Sequence, residues 1–298
     1  MTPDTVLLLV RFVHFWAVFG LFGTALFGLY AGSAARALIG PRLGGPVALM
    51  SVAALASGIV WLLVEAAHFG GDWAACCDAD TLTAVVFETG FGKLWLWRLL
   101  LAAALLPIVT MERGPARDGL LIAVSAMLAG SLGLTGHAAM DLGWRGVAHQ
   151  ANHAAHLLAV GAWLGGLLPL ARLLADRPAE ALQTNAPQTN ALRADALHRF
   201  STVGIIAVGI ILVTGIVNAG MIVGSPIPSL ATSWGRVLAV KLLLVAIMLA
   251  AALANRLVLM PGARYAAIAR LVLAEQILGL AVVAAASLLG TLPPDGAM

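Results

Sequence analysis

Eight unbroken apolar stretches, each long enough to cross a bilayer, leave this chain few folds to choose from. They run over Val6–Ala31, Val47–His68, Phe91–Met111, Gly119–Ala139, Ala151–Leu174, Phe200–Val223, Val237–Val258 and Ala267–Leu289. A helix spans the hydrocarbon with about 20 apolar residues, whereas a membrane strand needs about 9–11 of alternating polarity. These stretches are continuous, so helices are the way to satisfy the backbone where no water reaches it. The predicted fold is all-α: a polytopic bundle of eight transmembrane helices in one transmembrane domain, residues 1–298. Charged residues make up only 10% of the chain, against roughly a quarter in soluble domains, which excludes a soluble protein. The balance of 17 basic against 14 acidic residues, with no basic patch, points to no nucleic-acid partner. Membrane lipids are the expected surroundings.

Val6–Ala31 is expected to remain as a spanning helix rather than a cleaved signal, since Met1-Thr-Pro-Asp-Thr5 offers no basic segment ahead of it. Eleven of the 17 basic residues, among them Arg36, Arg113, Arg177, Arg199 and Arg264, fall in the 1–2, 3–4, 5–6 and 7–8 connections or the adjoining helix ends. By the positive-inside rule those connections are cytoplasmic and both termini are periplasmic. Six of the seven histidines then belong to the outer half: His14, His68, His137, His149, His153 and His156, with His198 alone on the inner side. Cys76 and Cys77, adjacent in the outer 2–3 loop, suit a soft Cu(I) ligand or a role without metal, and provide no disulfide framework.

An internal repeat underlies this clustering. Thr89-Gly-Phe-Gly92-Lys93 with Arg98 matches Thr232-Ser-Trp-Gly235-Arg236 with Lys241 at an offset of 143 residues. Helix 1 aligns with helix 5 at an offset of 142, setting His14 on His156 and Gly23 on Gly165, and Ser57-Gly58 resembles Thr214-Gly215 at 157. The expected architecture is two parallel four-helix repeats, residues 1–145 and 146–298, related by an axis along the membrane normal.

Chemistry concentrates at His149, His153 and His156, which lie at i, i+4 and i+7 on one helix face. Ionisable groups inside a membrane are costly, and imidazole is the commonest transition-metal ligand, so the stripe reads as a metal site; at the interface such histidines also simply bond headgroups or water. His137 precedes Asp141 by one turn, an orienting carboxylate or a solvated one. Glu65 and His68 form an E-x-x-H pair with ligand spacing, or an internal hydrogen bond, and Glu65 calls for Arg11 or Arg98 as partner. Arg98 and Lys241 are expected to snorkel outward, or else to pair with Glu65 or attract an anionic headgroup or quinone. Asn218 and Asn255 are candidate interhelical donors. No phosphate-binding loop, hydrolase elbow or zinc-protease motif is present.

Gly136-His137-Ala138 and His156-Leu-Leu-Ala-Val-Gly-Ala-Trp163-Leu-Gly165-Gly166 resemble the copper resistance protein D family. The likeness continues through Thr214-Gly-Ile-Val-Asn218, Thr232-Ser-Trp-Gly235-Arg236, Ala254-Asn255-Arg256 and Thr291-Leu-Pro293-Pro294. The resemblance implies a bacterial inner-membrane protein that takes copper from a periplasmic, CopC-like donor toward the cytoplasm, with His137 and His156 in the family's histidine positions. Where the family often carries Asp three residues before the helix-5 histidine, this chain has His153. The metal candidates are thus His14, His68, Glu65, His137, His149, His153 and His156, with copper as the ion. The alternative is a haem b redox protein, with His14, His68, His137 and His156 as axial ligands and quinone or copper as electron partner.

Overall fold

The computed structural model of the protein describes residues 2–136, 142–175, 186–224 and 229–293, and every regular element among them is helical. Eight of the helices are long and apolar enough to cross a membrane. They are α1 (Pro3–Tyr30), α2 (Ser33–Gly70), α3 (Gly90–Thr110), α4 (Pro115–Gly130), α5 (Gly143–Ala175), α6 (Ala186–Val223), α7 (Ser233–Ala254) and α8 (Tyr265–Leu289). His137, Asp141, Pro226 and Pro294 lie outside the described residues.

Local chemistry sets the helix ends. Thr89 and Thr232 cap α3 and α7, each hydroxyl accepting from the amide three residues on, Gly92 at 2.9 Å and Gly235 at 3.0 Å. Pro3 and Pro115 open α1 and α4, where a missing N–H costs nothing. Gly71 closes α2 with φ 84°, a left-handed cap that a side chain would strain.

Several boundaries differ from the sequence reading: α5 begins at Gly143 rather than Ala151 and α6 at Ala186 rather than Phe200. The second span starts well before Val47: α2 begins at Ser33 and runs without a break through Pro41 and Pro46. The reason is tertiary, since Ala35, Ile39, Leu43, Val47 and Met50 form a buried stripe at helical spacing that outweighs the proline penalty. The fourth span is shorter than Gly119–Ala139; α4 tightens into a 3₁₀ turn at Ser131–Leu134 and leaves helical geometry at Thr135.

The first four helices close a ring, α1 against α2, α2 against α3, α3 against α4 and α4 against α1. In the last four, α5 packs on α6 and α8, and α8 on α7, but α6 and α7 share no packed seam. The halves meet along α1 and α5. At that crossing a Cβ on Gly23 would overlap the backbone of Gly161 and Gly165, and one on Gly165 would overlap the Phe19 carbonyl. Small residues are what let two membrane helices approach so closely. The ends of α1 and α8 lie together, the Arg11 guanidinium resting against Gly290.

Candidate functional site

The two aligned histidines sit in matching local settings. Ser57 donates its hydroxyl proton to the Ala53 carbonyl at 2.5 Å, and Thr214 donates to Ile210 at 2.5 Å. Each hydroxyl oxygen is left as an acceptor, so it takes the Nδ1–H of its histidine: His14 on Ser57 at 2.9 Å, His156 on Thr214 at 2.9 Å. Gly58 and Gly215 make room for the imidazoles, whose Cε1 atoms would lie 3.6 Å from a Cβ there. The network thereby assigns both rings as the Nδ1–H tautomer, with Nε2 carrying the lone pair.

The fate of that lone pair separates the halves. His14 Nε2 accepts from Arg98 Nη2 at 2.7 Å, and the ring is only 2% exposed, walled by Trp61 and Trp95 with centroids 5.6 and 5.8 Å away. Arg98 is consumed in the process: it also donates to the Leu128 carbonyl at 2.8 Å and the Ser131 hydroxyl at 2.5 Å, and lies over the Trp95 ring. The expected snorkelling of Arg98 is therefore overturned, because inward acceptors satisfy its fork of donors better than a path past Trp95 to the headgroups. His156 Nε2 makes no hydrogen bond among the described residues, and the ring lines a cavity of about 320 Å³. Lys241, the counterpart of Arg98 by spacing, stands within electrostatic reach of His156 without bonding it.

The cavity lies where α6 and α7 stand apart, and His153 shares its wall with His156, Arg11, Asn218, Trp234 and Lys241. His149, the first rung of the stripe, is buried. Asn152, between the rungs, donates to the Thr214 carbonyl at 3.0 Å and to Asn218 Oδ1 at 2.8 Å, tying α5 to α6. Asn218 thus acts as an acceptor rather than the expected donor.

The remaining candidates are placed apart from this cavity. His68 Nε2 meets the largely exposed Asp4 at 3.0 Å at the end where α1 begins. Glu65 accepts from Trp61 Nε1 at 3.0 Å, one turn back on its own helix, and stands within electrostatic reach of Arg11, with no direct ion pair among the described residues. Arg11 lies instead over the Trp61 ring, 4.9 Å from its centroid, so the indole stands as the intermediary between cation and carboxylate. No group of three or more His, Cys, Asp or Glu residues among those described is arranged to hold a metal. A haem clamped by His14 and His68 is not assembled, since both His14 nitrogens are taken and His68 is turned to Asp4. Cys76 and Cys77 are free thiols, 3.5 Å apart; their contact, outside the spans, raises the Cys76 pKa.

Glu275 escaped the sequence reading. It is 2% exposed in α8 and accepts from Asn255 Nδ2 at 2.7 Å, joining α7 to α8. Both residues line a second cavity of about 240 Å³ together with Ser201 and Arg256, and Trp163 belongs to the walls of both cavities. The signal was available: a lone Glu inside Ala267–Leu289 has the same membrane cost that singled out Glu65.

Comparison with known proteins places this geometry in context. A family profile described as copper resistance protein D-like, N-terminal domain, matches residues 1–147, and one for copper resistance protein D matches residues 194–289. The histidine stripe falls between the two matched segments. The inner membrane protein YebZ of Escherichia coli K12 is 34% identical over 263 residues, covering 86% of this chain and 84% of the relative. Copper resistance protein D of Pseudomonas syringae pv. tomato is 30% identical over 267 residues, covering 87% and 84%. No solved structure matches the chain. The chain belongs to the copper resistance protein D family of polytopic membrane proteins.

Proposed function

We propose that this chain moves copper inward across the bacterial inner membrane, receiving it from a periplasmic, CopC-like donor on the histidine face of α5. The carrying observation is the open Nε2 lone pair of His156, on a ring whose tautomer is fixed from behind by Thr214. A neutral imidazole anchored through its other nitrogen is the form in which histidine binds metal. His153 shares the cavity wall one turn outward and His149 follows a further turn up, giving copper a ladder of imidazoles. His137 joins as a candidate ligand by sequence. Lys241 beside His156 repels cations, and does so about half as strongly for Cu(I) as for Cu(II), which favours the monovalent ion on the inner rung.

On this reading the halves are one duplicated unit, parallel about the membrane normal, with both termini periplasmic. Matching hydroxyl-anchored histidines, matching threonine caps and the glycine crossing of α1 on α5 support it. The first copy is sealed by Arg98 and holds the bundle; the second is left open and works. His14, His68 and Glu65 then serve the structure rather than the metal.

Reconstituted vesicles loaded with a copper indicator test the function. Wild-type protein should raise internal copper above empty vesicles, and His153→Ala/His156→Ala should fall to the empty-vesicle level while still inserting. Equal uptake by that variant would sink the assignment.

A further inference from the structure

The cavity beside the histidine ladder has a chemistry that copper does not use. One face of α7 lines it through Trp234, Leu238, Lys241 and Val245, positions at i, i+4, i+7 and i+11. Trp234 is 5% exposed, yet its Nε1–H has no acceptor. Across the cavity Arg11 Nε is buried without one too. Lys241 makes no hydrogen bond or ion pair among the described residues. No described carboxylate lines the space. Buried donors are ordinarily satisfied, so two unmet ones beside an unbonded ammonium around a single void point to a missing acceptor.

Depth and shape narrow what that acceptor is. Lys241 lies eight residues along α7 from Ser233, about 12 Å at the helical rise. A phosphate or carboxylate drawn that far below the interface loses its hydration, whereas a neutral carbonyl compound dissolves in hydrocarbon. The volume, about 320 Å³, suits a single ring system rather than a large cofactor. Phe15, Phe19 and Trp163 provide flat apolar walls, and the unsealed gap between α6 and α7 leaves a way out for an alkyl tail. The His156 lone pair adds an acceptor for a ligand that carries hydroxyls in its reduced form.

We propose that this cavity is a binding site for a lipid-soluble quinone, its head held by Trp234 and Lys241 beside His156 and its tail leaving between α6 and α7. The site shares His156 and Lys241 with the copper reading, but the Trp234 and Arg11 donors take no part in that reading, and quinone binding is measured without copper.

The full chain in copper-free nanodiscs of zwitterionic lipid is titrated with decylubiquinone, and tryptophan fluorescence is followed. Wild type should show saturable quenching at one quinone per chain. Lys241→Met and Trp234→Phe should each weaken binding roughly tenfold or more, the loss expected for one strong hydrogen bond. Lys241→Arg, which keeps a charged donor, should retain binding, and so should Lys93→Gln on the exposed face of α3. Unsaturable quenching in wild type, or equal affinity in Lys241→Met, overturns the proposal. So does displacement by phosphatidylglycerol or oleate but not by a second quinone, which would assign the cavity to an anionic lipid.

Discussion

Removing the hydroxyl behind each aligned histidine should separate the two histidine settings. Thr214→Val keeps the shape of the side chain and deletes the acceptor at 2.9 Å from His156 Nδ1. The imidazole can then turn, and its tautomer is no longer set; loss of such an orienting partner typically costs about 10–100-fold in metal affinity. That is about 1.4–2.7 kcal/mol in binding. Stability should fall less, by about 0.5–1.5 kcal/mol, because His156 borders a cavity where water can replace the lost bond. Ser57→Ala makes the same deletion behind His14, which is 2% exposed and closed in by Trp61 and Trp95. There the unmatched Nδ1–H should cost about 1–3 kcal/mol of stability and leave copper affinity within about twofold of wild type. Competition with a chromogenic Cu(I) chelator measures affinity, and thermal unfolding in detergent measures stability. Ser57→Ala losing copper as severely as Thr214→Val would refute the division into a sealed and an open histidine.

Three further outcomes follow from the packing. Gly165→Ala adds a methyl where the Phe19 carbonyl already sits, so α1 and α5 must separate; a loss of about 1–3 kcal/mol is expected in thermal unfolding, while Gly209→Ala, with open space around it, should be neutral or slightly stabilising. Asn255→Ala strips the buried Glu275 of its donor and should destabilise by about 1–3 kcal/mol, whereas Glu275→Gln should cost less because an amide tolerates burial better; equal losses would count against a buried pair holding α7 to α8. Asp4→Asn removes the surface partner of His68 and should change stability by less than about 1 kcal/mol with unaltered copper uptake, as an uptake assay on the same vesicles would show.

Much of the bundle was legible because membrane helices announce themselves by length and continuity. The eight spans lay in length and continuity, and spacing paired His14 with His156, whose hydroxyl-anchored settings match; Thr89 and Thr232 stood out only as a shared motif, their capping role emerging from the structure. What spacing could not supply was the identity of the partner at the second ring nitrogen. Arg98 and Lys241 occupy equivalent places in the sequence, yet Arg98 reaches His14, Leu128 and Ser131 at once, and Lys241 has a single ammonium and an unpacked neighbour helix. The open seam between α6 and α7 is a property of packing between helices, invisible to any periodicity within one. The early start of α2 was hidden for the opposite reason: Pro41 and Pro46 are a strong local signal against a helix, overridden by a buried stripe from Ala35 to Met50.

The central claim is that copper rests on imidazoles of α5, and X-ray absorption at the copper edge of the Cu(I)-loaded, purified chain tests it most directly. Expected is the outer-shell scattering of coordinated imidazole in wild type, unchanged in His68→Ala and lost together with bound copper in His153→Ala/His156→Ala. Copper bound through sulfur or oxygen alone, or an imidazole signature that survives the double substitution, would contradict it.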